Sequence, residues 1–139
     1  MVIIDTSAWV DYFRRDGDIM FKLGVKGLLD AFEGALCGPV EMEFLGGARS
    51  HEIPKIQPWF DIMPYRTNDQ KIWRKAATNF AKLRAKGHTL PWNDIVIATI
   101  ALERDDAVYA NDKHFPILEK VLGLHLYRPG FNGKFNPDY

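Results

Sequence analysis

The first ten residues, Met1-Val2-Ile3-Ile4-Asp5-Thr6-Ser7-Ala8-Trp9-Val10, hold an apolar run that stops at a carboxylate followed by two hydroxyls. Three consecutive β-branched residues are too few for a helix and read as a strand buried on both faces. An ionised carboxylate at the end of such a strand is costly to desolvate unless it is paired, hydrogen-bonded or bound to a cation. Asp5 therefore needs a partner from elsewhere in the chain.

The same pattern recurs downstream. Short apolar runs at Ala35-Leu36-Cys37, Ile62-Met63, Ala107-Val108-Tyr109-Ala110 and Leu124-His125-Leu126-Tyr127 predict four further strands. Between them, residues 8–14, 19–33, 39–49, 69–86, 93–104 and 114–122 carry helical spacing. Strands alternating with helices predict an α/β fold with a central, mostly parallel β-sheet flanked by α-helices. Residues 51–60, HEIPKIQPWF, are interrupted by Pro54 and Pro58 and predict a short helix plus a connection. Residues 128–139, rich in Gly, Asn and Pro, predict an extended or disordered tail after a domain of residues 1–127.

A length of 139 residues with 47% apolar side chains suits one domain with a real core. The 18 basic and 18 acidic side chains cancel, so only local charge carries information. A single cysteine, Cys37, excludes an intramolecular disulfide and fits a reducing cytoplasm as a small core residue. No basic leader precedes the first apolar run, and no stretch approaches the roughly 18 apolar residues of a membrane span. The expectation is a cytoplasmic protein with no membrane partner.

Between Gln70 and Asn93 lie six Lys or Arg and no acid, whereas residues 1–69 hold eleven acids against seven bases. Trp73, Ala76, Ala77, Phe80 and Leu83 form an apolar stripe in this segment, with Lys71, Lys75, Lys82 and Lys86 opposite. The basic face is either a solvated surface or a track for phosphates. Arg84 falls on the apolar side, where it must snorkel, pair with an acid or point into a cleft.

Three more acids share the oddity of Asp5. Asp94 lines up with Ile97, Ala98 and Ala101 on a face that should be buried, although a first-turn carboxylate also favours a helix dipole. In Gly38-Pro39-Val40-Glu41-Met42-Glu43-Phe44, Pro39 suits the first helical position, and Glu43 rather than Glu41 then turns inward with Val40 and Phe44. Asp112 follows an apolar strand in Tyr109-Ala110-Asn111-Asp112-Lys113-His114, where an ordinary N-cap would also explain it. In a parallel α/β sheet, sites form beyond the carboxyl ends of the strands, which is where all four acids would gather. Their repulsion requires a cation, and oxygen-only clusters select hard ions, Mg²⁺ or Mn²⁺. The four histidines and Cys37 show no zinc spacing.

In the order and spacing of these pieces over residues 2–127, the chain resembles a PIN-domain ribonuclease, specifically the single-domain toxins of the VapC type. The pieces are Asp5-Thr6-Ser7-Ala8, Glu43-Phe44-Leu45 with Gly47, Asp94-Ile95-Val96-Ile97-Ala98, and Asn111-Asp112-Lys113-His114-Phe115. The resemblance implies a metal-dependent endoribonuclease whose catalytic metal ligands are Asp5, Glu43, Asp94 and Asp112, with Ser7 in support. Ala110 stands where the family often has a hydroxyl, and Asn111 is the expected substitute. Hydrolysis by water would leave a 5′-phosphate and a 3′-hydroxyl on a transfer, ribosomal or messenger RNA. Lys75, Lys82, Arg84 and Lys86 would guide the RNA backbone, and Trp9, Tyr12, Trp92 or Phe115 would stack unpaired bases. Asp11 reads as a solvent-facing helix acid. The resemblance further implies a cognate antitoxin and a homodimer. The rivals are a phosphohydrolase of the haloacid dehalogenase type, which wants an acid where Ser7 stands, and an inactive PIN-like module whose acidic edge docks a basic peptide or RNA.

Overall fold

The computed structural model describes residues 1–130. Its strands are β1 (Val2–Ile4), β2 (Gly34–Cys37), β3 (Tyr65–Arg66), β4 (Ala107–Tyr109) and β5 (His125–Leu126). They form one parallel sheet in the order β3-β2-β1-β4-β5. Ile3 at the centre of β1 lies opposite Ala35 on one side and Val108 on the other. The chain builds outward from β1 to β3 and then returns to add β4 and β5 on the other side. The strand order therefore reverses between β1 and β4, which places a crevice beyond their carboxyl ends.

The helices are α1 (Thr6–Phe13), α2 (Ile19–Asp30), α3 (Gly38–Gly47), α4 (Ile53–Ile62), α5 (Gln70–Ala85), α6 (Trp92–Arg104) and α7 (His114–Leu122). All eight residues from Asp94 to Ala101 are buried, so α6 is the central helix, packed on α3, α5, α7 and β4. A buried Trp9 stacks on Phe13 and meets Phe44 and Phe60 edge-on, which ties α1 to α3 and α4. Gly24 lets α2 lie against the sheet: a Cβ there would sit 2.2 Å from the Tyr109 hydroxyl, which donates to the Met20 carbonyl at 2.9 Å.

The structure corrects four sequence expectations. Residues 51–60 do not break: α4 runs through both prolines, since Pro54 occupies the first turn, where no amide partner is needed. Pro58 forfeits one helical hydrogen bond, which burial of Ile56 and Phe60 on either side of it offsets. Consequently Ile62-Met63 ends a helix, and the third strand is Tyr65–Arg66, paired with Leu36 and Cys37 after Pro64. The helix expected to reach residue 33 stops at Asp30, because Phe32 takes a left-handed conformation (φ 55°) that turns the chain into β2. The buried face of α5 is Ile72, Ala76 and Leu83, rotated from the expected stripe, so Trp73 and Ala77 face solvent.

Of the tail, Arg128 forks onto both Glu119 oxygens at 3.1 Å, and residues 131–139 lie outside the described residues. No helix among the described residues is long and apolar enough to cross a membrane.

Candidate active site

Asp5 leaves β1 as the N-cap of α1, and its Oδ2 accepts from the Ser7 amide at 3.1 Å and the Ser7 hydroxyl at 2.6 Å. Its own amide donates to the Tyr109 carbonyl at 2.9 Å, stitching the ends of β1 and β4 together. Only 4% of the residue is exposed. Burial pushes the carboxyl up to about 6; the two Ser7 bonds oppose this, and the charges of Asp94 and Glu43 add to it.

The Ser7 hydroxyl also accepts from the Asn111 amide at 2.9 Å, so the β4–α7 turn is pinned to α1. A second tie was not expected from the sequence. The Asn111 side chain donates to Asp11 Oδ2 at 2.7 Å, while Asp11 Oδ1 accepts from the Asp18 amide at 3.1 Å. Asp11 is therefore not a free solvent-facing acid but a half-buried brace between three segments.

Asp94 sits in the first turn of α6 and is 6% exposed. Asp112 precedes α7 and Oδ1 accepts from the His114 amide at 2.9 Å, so it also makes the turn bond expected of an ordinary cap. Between the two lies a residue that sequence reasoning missed. His114 Nδ1 is 2.9 Å from Asp94 Oδ2 and 3.1 Å from Asp112 Oδ1. With carboxylate oxygens on both sides, Nδ1 carries the ring proton. The Asp94 carboxyl is pushed above its ordinary value by burial, then by the charges of Asp112 and Glu43, against the pull of His114. The sequence signal for it is a histidine two residues after Asp112, at a spacing that suits no zinc site.

Glu43 completes the group from α3, where Val40 and Phe44 take the core positions. It is exposed rather than drawn inward as expected, and its Oε2 accepts from the Asn93 side chain at 2.8 Å. Asp5, Glu43, Asp94 and Asp112 nonetheless line one open cleft of about 530 Å³, shared with Ser7, Asp11, Asn111 and His114. Ligand atoms of Asp94, Asp112 and His114 lie within 4.8 Å of one another; Asp5 and Glu43 stand outside that tight group. Five carboxylates face one arginine, Arg14, in the lining. This excess of carboxylates, four of them buried or half-buried, fits a divalent cation.

Residues 2–121 match the PIN domain family. The chain belongs to the PIN-domain family. It is 33% identical over 129 residues to Ribonuclease VapC11 of Mycobacterium tuberculosis and to a VapC ribonuclease of Mycobacterium bovis, covering 89% of this chain and 96% of each relative. Solved structures share the fold at lower identity. VapBC2 from Rickettsia felis, bound to a DNA fragment from its promoter, matches with a TM-score of 0.71 and 18% identity over 91% of this chain and 97% of that one. FitAcB from Neisseria gonorrhoeae matches with a TM-score of 0.68 and 18% identity over 87% and 94%.

In this PIN domain the cations predicted to track RNA do not line the cleft. Lys75 is held by Glu103, and Lys82, Arg84 and Lys86 are exposed toward the C-terminal end of α5, with Arg84 over the Phe80 ring at 5.8 Å. Arg14 lines it instead, and an adjoining groove of about 850 Å³ adds Arg15, Arg49 and Lys55. Of the aromatic candidates, Trp9 and Phe115 are core residues and Tyr12 is half-buried, while Trp92 is exposed. Burial pushes the Cys37 thiol up to about 12, which makes it inert packing rather than a nucleophile.

Proposed function

We propose that this PIN domain is a metal-dependent endoribonuclease and the toxin of a toxin–antitoxin pair. The observation that carries the reading is the convergence of Asp5, Glu43, Asp94 and Asp112, from four separate elements, on one cleft at the strand-order reversal. The VapC ribonucleases named above support the same activity.

Asp5, Asp94, Asp112 and Glu43 would hold Mg²⁺ or Mn²⁺, the ions that carboxylate oxygens favour. Such an ion supplies Lewis acidity, easing the deprotonation of a water and offsetting charge on the scissile phosphate. Ser7 and Asn111 position Asp5: both Ser7 donors occupy Oδ2, leaving Oδ1 without a protein donor among the described residues. His114 Nδ1–H donates to Asp94 and holds a proton between it and Asp112, which spares the two carboxylates part of their repulsion. Arg14, at the junction of cleft and groove, binds the phosphate backbone. Lys82, Arg84 and Lys86 supply more distant backbone contacts, and Lys75 joins them only by leaving Glu103.

The test is cleavage of total cellular RNA by the purified protein with Mg²⁺ or Mn²⁺, beside EDTA and Asp94→Asn controls, with fragment ends mapped. Discrete 5′-phosphate ends that need both metal and Asp94 support the reading. No cleavage by partner-free, metal-replete protein overturns it in favour of a docking module. The antitoxin would cover the acidic cleft with a basic segment, and co-expression with the neighbouring gene tests this by co-purification. A homodimer is tested by mass in solution.

A further inference from the structure

Two tryptophans stand together on the surface beside the N-terminal end of α6. Trp73, near the start of α5, and Trp92, which opens α6, are 45% and 55% exposed. Their ring centroids are 6.2 Å apart and their planes are tilted by 38°. Trp92 lies between Pro91 and Asn93, both of which line the cleft. Indoles are rarely left so open, and two in contact leave a contiguous apolar and π surface in water that folding does not cover.

The sequence around Trp73 is basic. Lys71, Arg74 and Lys75 surround Trp73 in sequence, and one acid, Glu103, answers both Lys71 and Lys75. Arg74 is exposed and pairs with no acid among the described residues. Cations next to exposed aromatic rings are the combination that single-stranded nucleic acid uses, with phosphates held by charge and bases by stacking.

We propose that Trp73 and Trp92 form a stacking platform for an unpaired nucleobase of the RNA, next to the phosphate that enters the acidic cleft. This inference rests on the ribonuclease reading and assigns recognition of the base to two residues that do not line the acidic cleft. A base inside a continuous duplex is already stacked on its neighbours and cannot reach the indoles. The platform also separates two tasks: Asp5, Glu43, Asp94 and Asp112 serve any phosphodiester, while the tryptophans select RNA that presents a free base.

The experiment is a fluorescence titration of the full chain in EDTA at low salt, with a short oligoadenylate and, in parallel, an abasic ribose-phosphate oligomer of equal length. Oligoadenylate should quench the emission, and the abasic oligomer of equal charge should not. Trp73→Ala and Trp92→Ala should each weaken oligoadenylate binding about tenfold with a modest drop in melting temperature, since each side chain is about half exposed. With Mn²⁺, the same variants should raise KM for a looped RNA and leave kcat intact. Equal binding of the two oligomers, or a double variant that binds oligoadenylate as wild type does, overturns the platform. So does a double variant that changes from dimer to monomer with RNA affinity unchanged, which would make the pair a seam between two copies. If wild type cuts RNA and the variants keep its KM, the platform fails and the ribonuclease reading stands. If wild type binds oligoadenylate through the tryptophans but cuts no RNA, the ribonuclease reading fails and the platform stands.

Discussion

Replacing Asp5 by Asn should stabilise the metal-free protein while abolishing its activity. The carboxyl is held at about 6 against an ordinary 3.8, which corresponds to ~3 kcal/mol at 1.36 kcal/mol per tenfold. Because the folded-state value is the higher one, the native protein binds this proton more tightly than the unfolded chain does. The contribution is fully present below pH 3.8 and is lost as the pH rises through about 6, above which the ionised group is a net penalty. An asparagine never ionises and still offers an oxygen to the Ser7 donors, although its new amide N–H has no assigned partner and returns roughly 1 kcal/mol of the gain. The net effect near neutral pH is about 2 kcal/mol, or a rise in melting temperature of about 6 °C for a chain of this size. Thermal denaturation of wild type and Asp5→Asn in EDTA at pH 7.5 and pH 4 measures it: the gain should appear at the first and shrink toward zero at the second. Adding Mg²⁺ at pH 7.5 should then raise wild type more than the variant, because the cation takes over the compensation that Asn provides. A variant that melts at or below wild type in EDTA at pH 7.5, or a gain equal at both pH values, would refute the reasoning.

Three further expectations concern residues outside the four acids. Asp11→Ala removes the brace on Asn111 and should weaken Mn²⁺ binding in calorimetry by about tenfold while destabilising the fold by only ~1 kcal/mol; unchanged Mn²⁺ affinity would remove Asp11 from the site. Gly24→Ala drives a methyl into the Tyr109 hydroxyl, 2.2 Å from the new carbon, and should cost about 1–3 kcal/mol in urea denaturation; a neutral substitution would mean that α2 shifts freely on the sheet. Asp106 is 3% exposed and pairs with Arg66 at 2.8 Å and with the N-terminal ammonium at 3.3 Å, so Asp106→Ala strands a half-buried guanidinium. It should lower stability by roughly 3 kcal/mol without altering metal affinity, and a loss of metal binding at full stability would contradict this assignment.

Asp5 and Asp94 were legible because a carboxylate on an apolar strand or face is anomalous whatever the fold. Asp5 ends a three-residue strand, and Asp94 shares a helical face with Ile97, Ala98 and Ala101, all of them buried. What the sequence obscured depends on where surfaces meet. His114 contacts Asp94 across twenty positions only because the turn after β4 brings the first residue of α7 to the first turn of α6. On a helical wheel Asp11 points outward, yet outward from α1 is the direction of Asn111 and the α1–α2 connection. The basic cluster of α5 is prominent in sequence, whereas the cation at the cleft is Arg14, which stands among the acids of the first helix. Periodicity places Trp73 on a core stripe, but α5 turns Ile72, Ala76 and Leu83 inward and leaves the indole to meet Trp92 outside.

These failures share a direction. A carboxylate in an apolar setting marks the sequence position by position, as Asp5 and Asp94 do. The groups proposed to choose among RNAs need only be exposed and near one another, and an exposed tryptophan or arginine has the same local pattern as a buried one. Carboxylates that line one cleft were therefore legible singly, and the exposed indole pair became visible only once α5 and α6 crossed. A related chain that kept the four acids but replaced Trp73 and Trp92 by small polar residues should still cut RNA, with its preference for unpaired bases lost.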